Sequence, residues 1–284
     1  MTAAVEVEAP KVVDGLSADD YHADRTSVSS SGLRALLAPG CPAQFHYDRH
    51  HPQAPKKEFD LGHAAHLYVL GEGPELEVID FPDWRKKDAQ ILRDEAYLAG
   101  KVPLLTKDHD MVQEMAAAIR QHPIAGPLFT PGTGKAEQSI YWTDPATGVR
   151  CRVRPDWRRD SIVCDYKTIK DAAPDTISRA IKDRAYHQQD AFYIDGVEAA
   201  GLAPDGARFV FVFQSKIAPY LITVRELTDQ DRDIGRARNE RALRIYADCT
   251  STDTWPDWTG PVTEIPQIGM PTWDTIRQAE EYLG

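Results

Sequence analysis

The chain has few cysteines, and none lie in a metal-binding pattern. Cys41, Cys151, Cys164 and Cys249 are its only four, widely scattered and without a C-x-x-C pair. That spacing argues against a structural zinc or an iron–sulfur cluster, whose thiolate ligands come close-set. No apolar run approaches the length of a membrane span, and the N-terminus lacks the basic-then-apolar order of a signal peptide. These absences predict a cytoplasmic protein with no membrane partner. Gly-rich phosphate loops, nucleophile motifs, repeats and low-complexity tracts are missing too, which leaves a small-molecule role without support.

What is present fits a folded chain of one large α/β domain, with or without an appended lobe. It has 284 residues, 42% hydrophobic and 27% charged. The net charge of −11 argues against a generally basic nucleic-acid-binding surface. Its distribution is uneven. Residues Ala146 to Lys170 hold five Arg and two Lys against three Asp. A basic strip on an acidic body suits a groove that holds a polyanion, and equally an ordinary exposed strand face.

The stretch from Val149 to Tyr193 organises the rest. Val149, Cys151 and Val153 alternate with Arg150, Arg152 and Arg154, the period of a half-buried strand. Trp157 to Asp160 reads as a turn and Ser161 to Thr168 as a second strand, which predicts a β-hairpin. Asp156 ends the first strand. Asp165 and Lys167 leave the same face of the second. Two carboxylates and a lysine at strand ends suit a site where Mg²⁺ or Mn²⁺ and the lysine share the charge of a phosphate. A solvated surface salt bridge is the competing reading.

Upstream, residues 1–14 read as a flexible arm. Ser27, Ser29, Ser30 and Ser31 precede Leu33, Leu36 and Leu37, which predicts an N-capped helix ended by Pro39-Gly40. Pro42 then begins a second helix with Phe45 and Tyr47. Capping accounts for one of the serines; Ser29, Ser31 and nearby Arg25 are also placed to meet a DNA phosphate at a helix N-terminus. Phe59 to Leu70 reads as a buried helix in which Gly62 and His66 lie one turn apart, with His63 as the competing histidine. Residues 71–105 read as a partly mobile insertion with a helix near Ala89 to Ala99. A helix is predicted over Asp108 to Gln121 and a strand over Glu137 to Trp142. Past Lys167 come helices from Asp175 and from Tyr186, the second bringing Gln189 and Tyr193 to one face. Strands at Arg208–Gln214 and Tyr220–Val224, a charged helix over 228–247, and a Trp-containing tail complete the chain.

The order of these motifs resembles the RecB-like branch of the PD-(D/E)xK nucleases. Gly62-xxx-His66, Pro155-Asp156, Asp165-Tyr166-Lys167 and Gln189-xxx-Tyr193 follow one another in the right contexts. The nearest likeness is to the exonuclease VIII (RecE) C-terminal nuclease domain and its phage relatives, over roughly residues 15 to 260. SVSSSGLRALLAPGCPAQFHY, EQSIYW and AYHQQDAFYIDG add to it. The resemblance implies a restriction-endonuclease-like α/β core, a central mixed β-sheet flanked by helices; residues 261–284, beyond its reach, read as an extension packing on the domain. It implies a Mg²⁺-dependent exonuclease, Mn²⁺ being an alternative, that acts on linear double-stranded DNA ends, typically 5′→3′. The exposed 3′ strand would pass to an annealing protein in recombination or repair, and relatives often form homo-oligomeric rings. Carried over by motif, Asp156, Asp165 and His66 are metal ligands with the Tyr166 backbone carbonyl, Lys167 is the catalytic lysine, and Gln189 and Tyr193 line the site. Arg25, Ser29, Ser31, Arg152 and Arg154 are candidate DNA contacts, and Glu137 is a weaker site candidate whose alternative is a salt bridge beside the core. An acidic residue expected near Gln214-Ser215-Lys216 is missing, as is the cysteine cluster of the iron–sulfur relatives. Flap or single-strand processing, or DNA-end binding through a vestigial site, are the alternative functions.

Overall fold

The strand that carries Asp165 and Lys167 lies in the middle of the larger sheet, with helices packed on both of its faces. The computed structural model describes residues 8–51, 60–260 and 264–284. In chain order the elements are β1 (Lys11–Val13), α1 (Ala18–Ala23), β2 (Val28–Ser29), α2 (Ser30–Leu36), α3 (Pro42–His50), α4 (Asp60–Leu70), β3 (Leu76–Ile79), α5 (Lys87–Leu98), β4 (Val102–Leu105), α6 (Thr106–Gln121), α7 (Ala125–Leu128), β5 (Lys135–Ala136), β6 (Ser139–Thr143), β7 (Arg150–Val153), β8 (Trp157–Arg159), β9 (Ile162–Ile169), α8 (Pro174–Asp183), α9 (Tyr186–Ala199), β10 (Arg208–Ser215), β11 (Ile222–Arg225), α10 (Asp229–Thr252) and α11 (Thr272–Tyr282).

Two mixed sheets share the chain. One is ordered β11-β10-β9-β8-β5, the other β1-β6-β7-β2, and a small parallel pair β3-β4 stands apart. β9 and β10 run parallel, pairing Asp165 with Phe211 and Lys167 with Phe213. β10 alternates strictly. Phe209, Phe211 and Phe213 enter one core with Tyr186, Phe192 and Ile194 of α9 and Leu243 of α10. Val210 and Val212 enter a second core with Cys164, Tyr166, Trp157, and Val112, Met115 and Ile119 of α6. A strand buried on both faces must be apolar at nearly every position, which explains RFVFVF. Each buried Phe contributes about 1.5–3 kcal/mol of transfer free energy. Both cores converge on β9, so its register is over-determined.

Several expectations are corrected by this topology. The hairpin partner of β9 is β8, not the strand at 150–153: Trp157 faces Cys164 and Arg159 faces Ile162. β7 instead belongs to the second sheet, between β6 and β2. Residues 157–159 are not a solvated turn because Trp157 is buried. The actual turn is tighter, with Asp160 in the left-handed region at φ 49°. Part of the region expected as an arm is structured, since Lys11–Val13 pairs with β6; residues 1–7 lie outside the described residues, as does Phe59. The insertion at 71–105 holds α5 and the β3-β4 pair, which puts Leu104 in the second core. The tail packs through Trp255, stacked on His46 at 4.6 Å, and Trp258, which donates to the Pro39 carbonyl at 2.8 Å. Further on, α11 buries none of its residues; 261–263 are outside the described residues. No helix among the described residues is long and apolar enough to cross a membrane.

Candidate active site

The chain steps directly from one mixed sheet to the other at Glu137–Gln138 between β5 and β6, and at Arg154–Asp156 between β7 and β8. Extending the β8–β9 register by one residue sets Asp156 opposite Asp165. Ladder pairing stops there, and the Asp156 side chain takes over: its Oδ2 accepts the Tyr166 backbone N–H at 2.8 Å. The preceding Pro155 has no N–H to continue a ladder. The two motif carboxylates therefore face each other because the strands part at their level.

The other motif residues converge on this gap. From α4, His66 Nε2 lies 3.3 Å from Asp156 Oδ2, and its Nδ1 lies 2.8 Å from the Gly62 carbonyl. Nδ1 is then a protonated nitrogen; in the imidazolium Nε2 donates to Asp156, and in the neutral ring it is left to offer its lone pair to a cation. The sequence spacing of Gly62 and His66 thus has a defined meaning: one turn of helix orients the imidazole. His63, the competing histidine, does not take this place. On β9, Lys167 Nζ lies 2.5 Å from Asp165 Oδ2 and 5.4 Å over the Tyr186 ring. From α9, Gln189 Nε2 donates to Asp165 Oδ1 at 2.6 Å. Tyr193, one turn on, packs edge-to-face on Phe209, and its hydroxyl bonds no protein group among the described residues.

The electrostatics follow from burial and these contacts. Burial disfavours ionised Asp156, but His66, Lys167 and the Tyr166 N–H outweigh it and hold the carboxyl below its usual range. Asp165 is pushed the other way, raised by burial and by the Asp156 charge against the pull of Lys167. His66 is depressed by burial and raised further by Asp156, so its net shift is upward. Burial likewise opposes the Lys167 charge, and the two aspartates more than restore it. Glu137 enters the same field. Its N–H donates to the Asp156 carbonyl at 3.2 Å, and its Oε2 accepts from Arg154 Nε at 2.6 Å. Burial and the Asp156 carboxylate push its carboxyl up to about 7. It also holds a left-handed φ of 49°, a strained conformation for a non-glycine residue.

The proposed DNA-contacting residues fare differently. Arg152 is buried, donates to Ser27 O and Oγ at 2.7 and 2.9 Å, and stacks over Tyr21. Its guanidinium is spent inside the protein and does not face a phosphate. Arg154 is held by Glu137 and by the Ser17 carbonyl at 3.1 Å. Ser29 caps α2 and lies 3.0 Å from Ser31 Oγ. Arg25 is exposed and bonds the His22 carbonyl. Gln214, where an acid was expected, is a core residue: it accepts from Tyr166 Oη and donates to the Met115 carbonyl. One residue the motifs do not mark is Arg34 of α2. It is partly buried within the field of Asp165, Tyr186 and Tyr193, and donates to the Arg184 carbonyl at 2.8 Å. A single Arg on an amphipathic helix carries no signal until the packing of α2 on α9 is known.

The donor chemistry fits a hard divalent cation. Asp165 Oδ2 is buried, and the Lys167 ammonium at 2.5 Å is its one partner among the described residues. Beside it stand a second carboxylate and an imidazole. Among the described residues no three His, Cys, Asp or Glu side chains close on one point. Asp156, Asp165 and His66 would therefore have to draw together around a cation, with water and phosphate filling its remaining positions.

This arrangement and the sheet around it define a PD-(D/E)xK-type fold and motif. Residues 29–265 match the family described as PDDEXK-like domain of unknown function (DUF3799), and the chain belongs to that family. No curated protein matches the sequence. Among solved structures, the chain is similar to a crystal structure from Eubacterium rectale named "Putative exonuclease", with a TM-score of 0.61 and 12% identity, covering 92% of this chain and 97% of the other. At that identity the likeness speaks for the fold.

Proposed function

We propose that this protein is a metal-dependent deoxyribonuclease, and specifically an exonuclease that degrades linear double-stranded DNA from its ends, 5′→3′. The observation that carries the reading is the convergence of Asp156, Asp165 and Lys167 where β8 and β9 part, with His66 and Gln189 holding one carboxylate each. The likeness to a protein named as an exonuclease supports the choice among nucleases.

Asp156, Asp165 and His66, with the Tyr166 carbonyl, would hold Mg²⁺ or Mn²⁺. Such a cation supplies Lewis-acid polarisation of the scissile phosphate and lowers the pKa of a bound water. Gln189 fixes the Asp165 carboxylate through Oδ1. Lys167 carries the positive charge that orients the attacking water or stabilises the phosphoryl oxygens. Tyr193 offers a hydroxyl and a ring edge to the DNA beside it. In this reading the 3′ single strand left behind goes to an annealing partner, and the protein works as a ring.

The test is a linear blunt duplex labelled at one 5′ or one 3′ end, incubated with Mg²⁺ or EDTA. Early release of the 5′ label only with Mg²⁺ supports the proposal. Intact duplex alongside cut flaps or single strands replaces it with a repair-nuclease reading, and binding without any cutting replaces it with an end-binding one. Lys167→Ala should lower turnover by at least 10²-fold while duplex binding survives, in line with the loss of one charge-stabilising donor.

A further inference from the structure

The residues expected to meet phosphate from the basic stretch, Arg152 and Arg154, point inward, so an acidic chain still needs a surface for a polyanion. One group of cations without carboxylate partners lies at the end of β9 and around α8. Lys170 follows Lys167 by three residues, about 10 Å along an extended strand. Lys216 joins it there, since its N–H donates to the Ile169 carbonyl at 2.9 Å. Arg179, Lys182 and Arg184 lie exposed on and just after α8, whose Ile177 is buried beneath. Arg34 links this group to the site through its bond to the Arg184 carbonyl. Among the described residues none of these six has a carboxylate within 4.0 Å. On α10, by comparison, Arg232, Arg236 and Arg244 each pair with an acid, while Arg238 bonds Gln188 Oε1. The aspartates interspersed near α8 do not neutralise the group by contact. Asp171 is occupied by the Ala173 N–H and the Thr176 hydroxyl, Asp175 sits in the first turn of α8 where the helix dipole favours it, and Asp183 lies in the last turn.

We propose that this strip, from Lys167 through Arg34 and Lys170 onto the outer face of α8, holds the phosphate backbone of the DNA duplex that feeds the site. The inference rests on the nuclease reading and assigns its substrate a path. Salt dependence tests it, because each phosphate contact on duplex DNA contributes about 0.9 to the slope of log K against log salt. A fluorescein-labelled blunt duplex is titrated in EDTA with the wild type, with the triple variant Lys170→Gln/Arg179→Gln/Lys182→Gln, and with the control Arg241→Gln/Arg244→Gln on α10. All five positions are exposed, and thermal unfolding confirms that each variant is folded. The expected result is a slope smaller by roughly 3 in the triple variant and unchanged in the control. A wild type that cuts DNA while the triple variant keeps its slope overturns the path and leaves the nuclease reading standing. Equal slope losses in both variants show only a change of overall charge and also overturn it. A wild type that neither binds nor cuts DNA removes both.

Discussion

Gln189 of α9 donates through Nε2 to Asp165 Oδ1 on β9 at 2.6 Å, while Lys167 holds the other oxygen of the same carboxylate at 2.5 Å. One neutral donor and one cation, from two elements, thus set the orientation of a carboxylate that is 1% exposed.

Replacing Gln189 with Ala should therefore act twice. It leaves Asp165 Oδ1 buried without its donor, at a cost of about 1–3 kcal/mol. It also frees the carboxylate to rotate, which should lower turnover by about 10–100-fold. Urea unfolding and single-turnover cleavage read the two effects separately. Unchanged values in both would show that the bond has no orienting role.

Glu137 makes a pH prediction for the metal-free protein. Its folded carboxyl is raised to about 7 from an ordinary value of 4.5. The unfolded chain therefore loses this proton first, and folded stability falls as pH rises between those values. The integrated effect is at most roughly 3.5 kcal/mol, since each unit is worth about 1.4. Glu137→Gln should remove that slope, so that the variant gains on the wild type in thermal midpoint between pH 5 and 8. Parallel curves for the two proteins would contradict it.

Arg152 should prove structural. Arg152→Ala removes the bonds to Ser27 and the contact with Asp24 at 3.5 Å, and uncovers Tyr21. Breaking a buried ionic contact of this kind costs about 3–5 kcal/mol. The salt slope of duplex binding should not change. A stable variant with a reduced slope would return Arg152 to the DNA-contacting set.

Gly235 tests the seam between α9 and α10. A Cβ there would sit 2.0 Å from the His187 carbonyl oxygen, a backbone atom that cannot move aside alone. An exposed helical Gly usually gains about 1 kcal/mol on replacement by Ala. Here Gly235→Ala should instead cost about 1–3 kcal/mol or more. It should also loosen the buried Gln188–Asn239 pairing next to it. Chemical denaturation gives the sign directly.

Local pattern determined a good deal of this protein. The alternation of RFVFVF marks β10, the period of Val112, Met115 and Ile119 marks α6, and Ser29 ahead of Leu33 marks the capped start of α2. These signals were legible because capping, helical period and strand alternation act between near neighbours in the chain. The spacing Asp156, Asp165, Lys167, with His66 and Gln189-xxx-Tyr193, likewise identified the residues that the structure gathers at one gap.

Only the tertiary structure decided the rest, because it depends on partners distant in sequence. Sheet membership separated β7 from β9, and with it turned Arg152 inward to Ser27, 125 positions away. Alternation says that a strand has two faces, but not which face meets another element, so an alternating arginine looks exposed until its partner arrives. The same holds for Arg34, which becomes part of the site only because α2 lies against the start of α9. Glu137 read from sequence as a salt bridge or a site residue; the fold gives it the salt bridge to Arg154 and sets it beside Asp156, by bringing the two crossings between the sheets side by side, with its N–H on the Asp156 carbonyl.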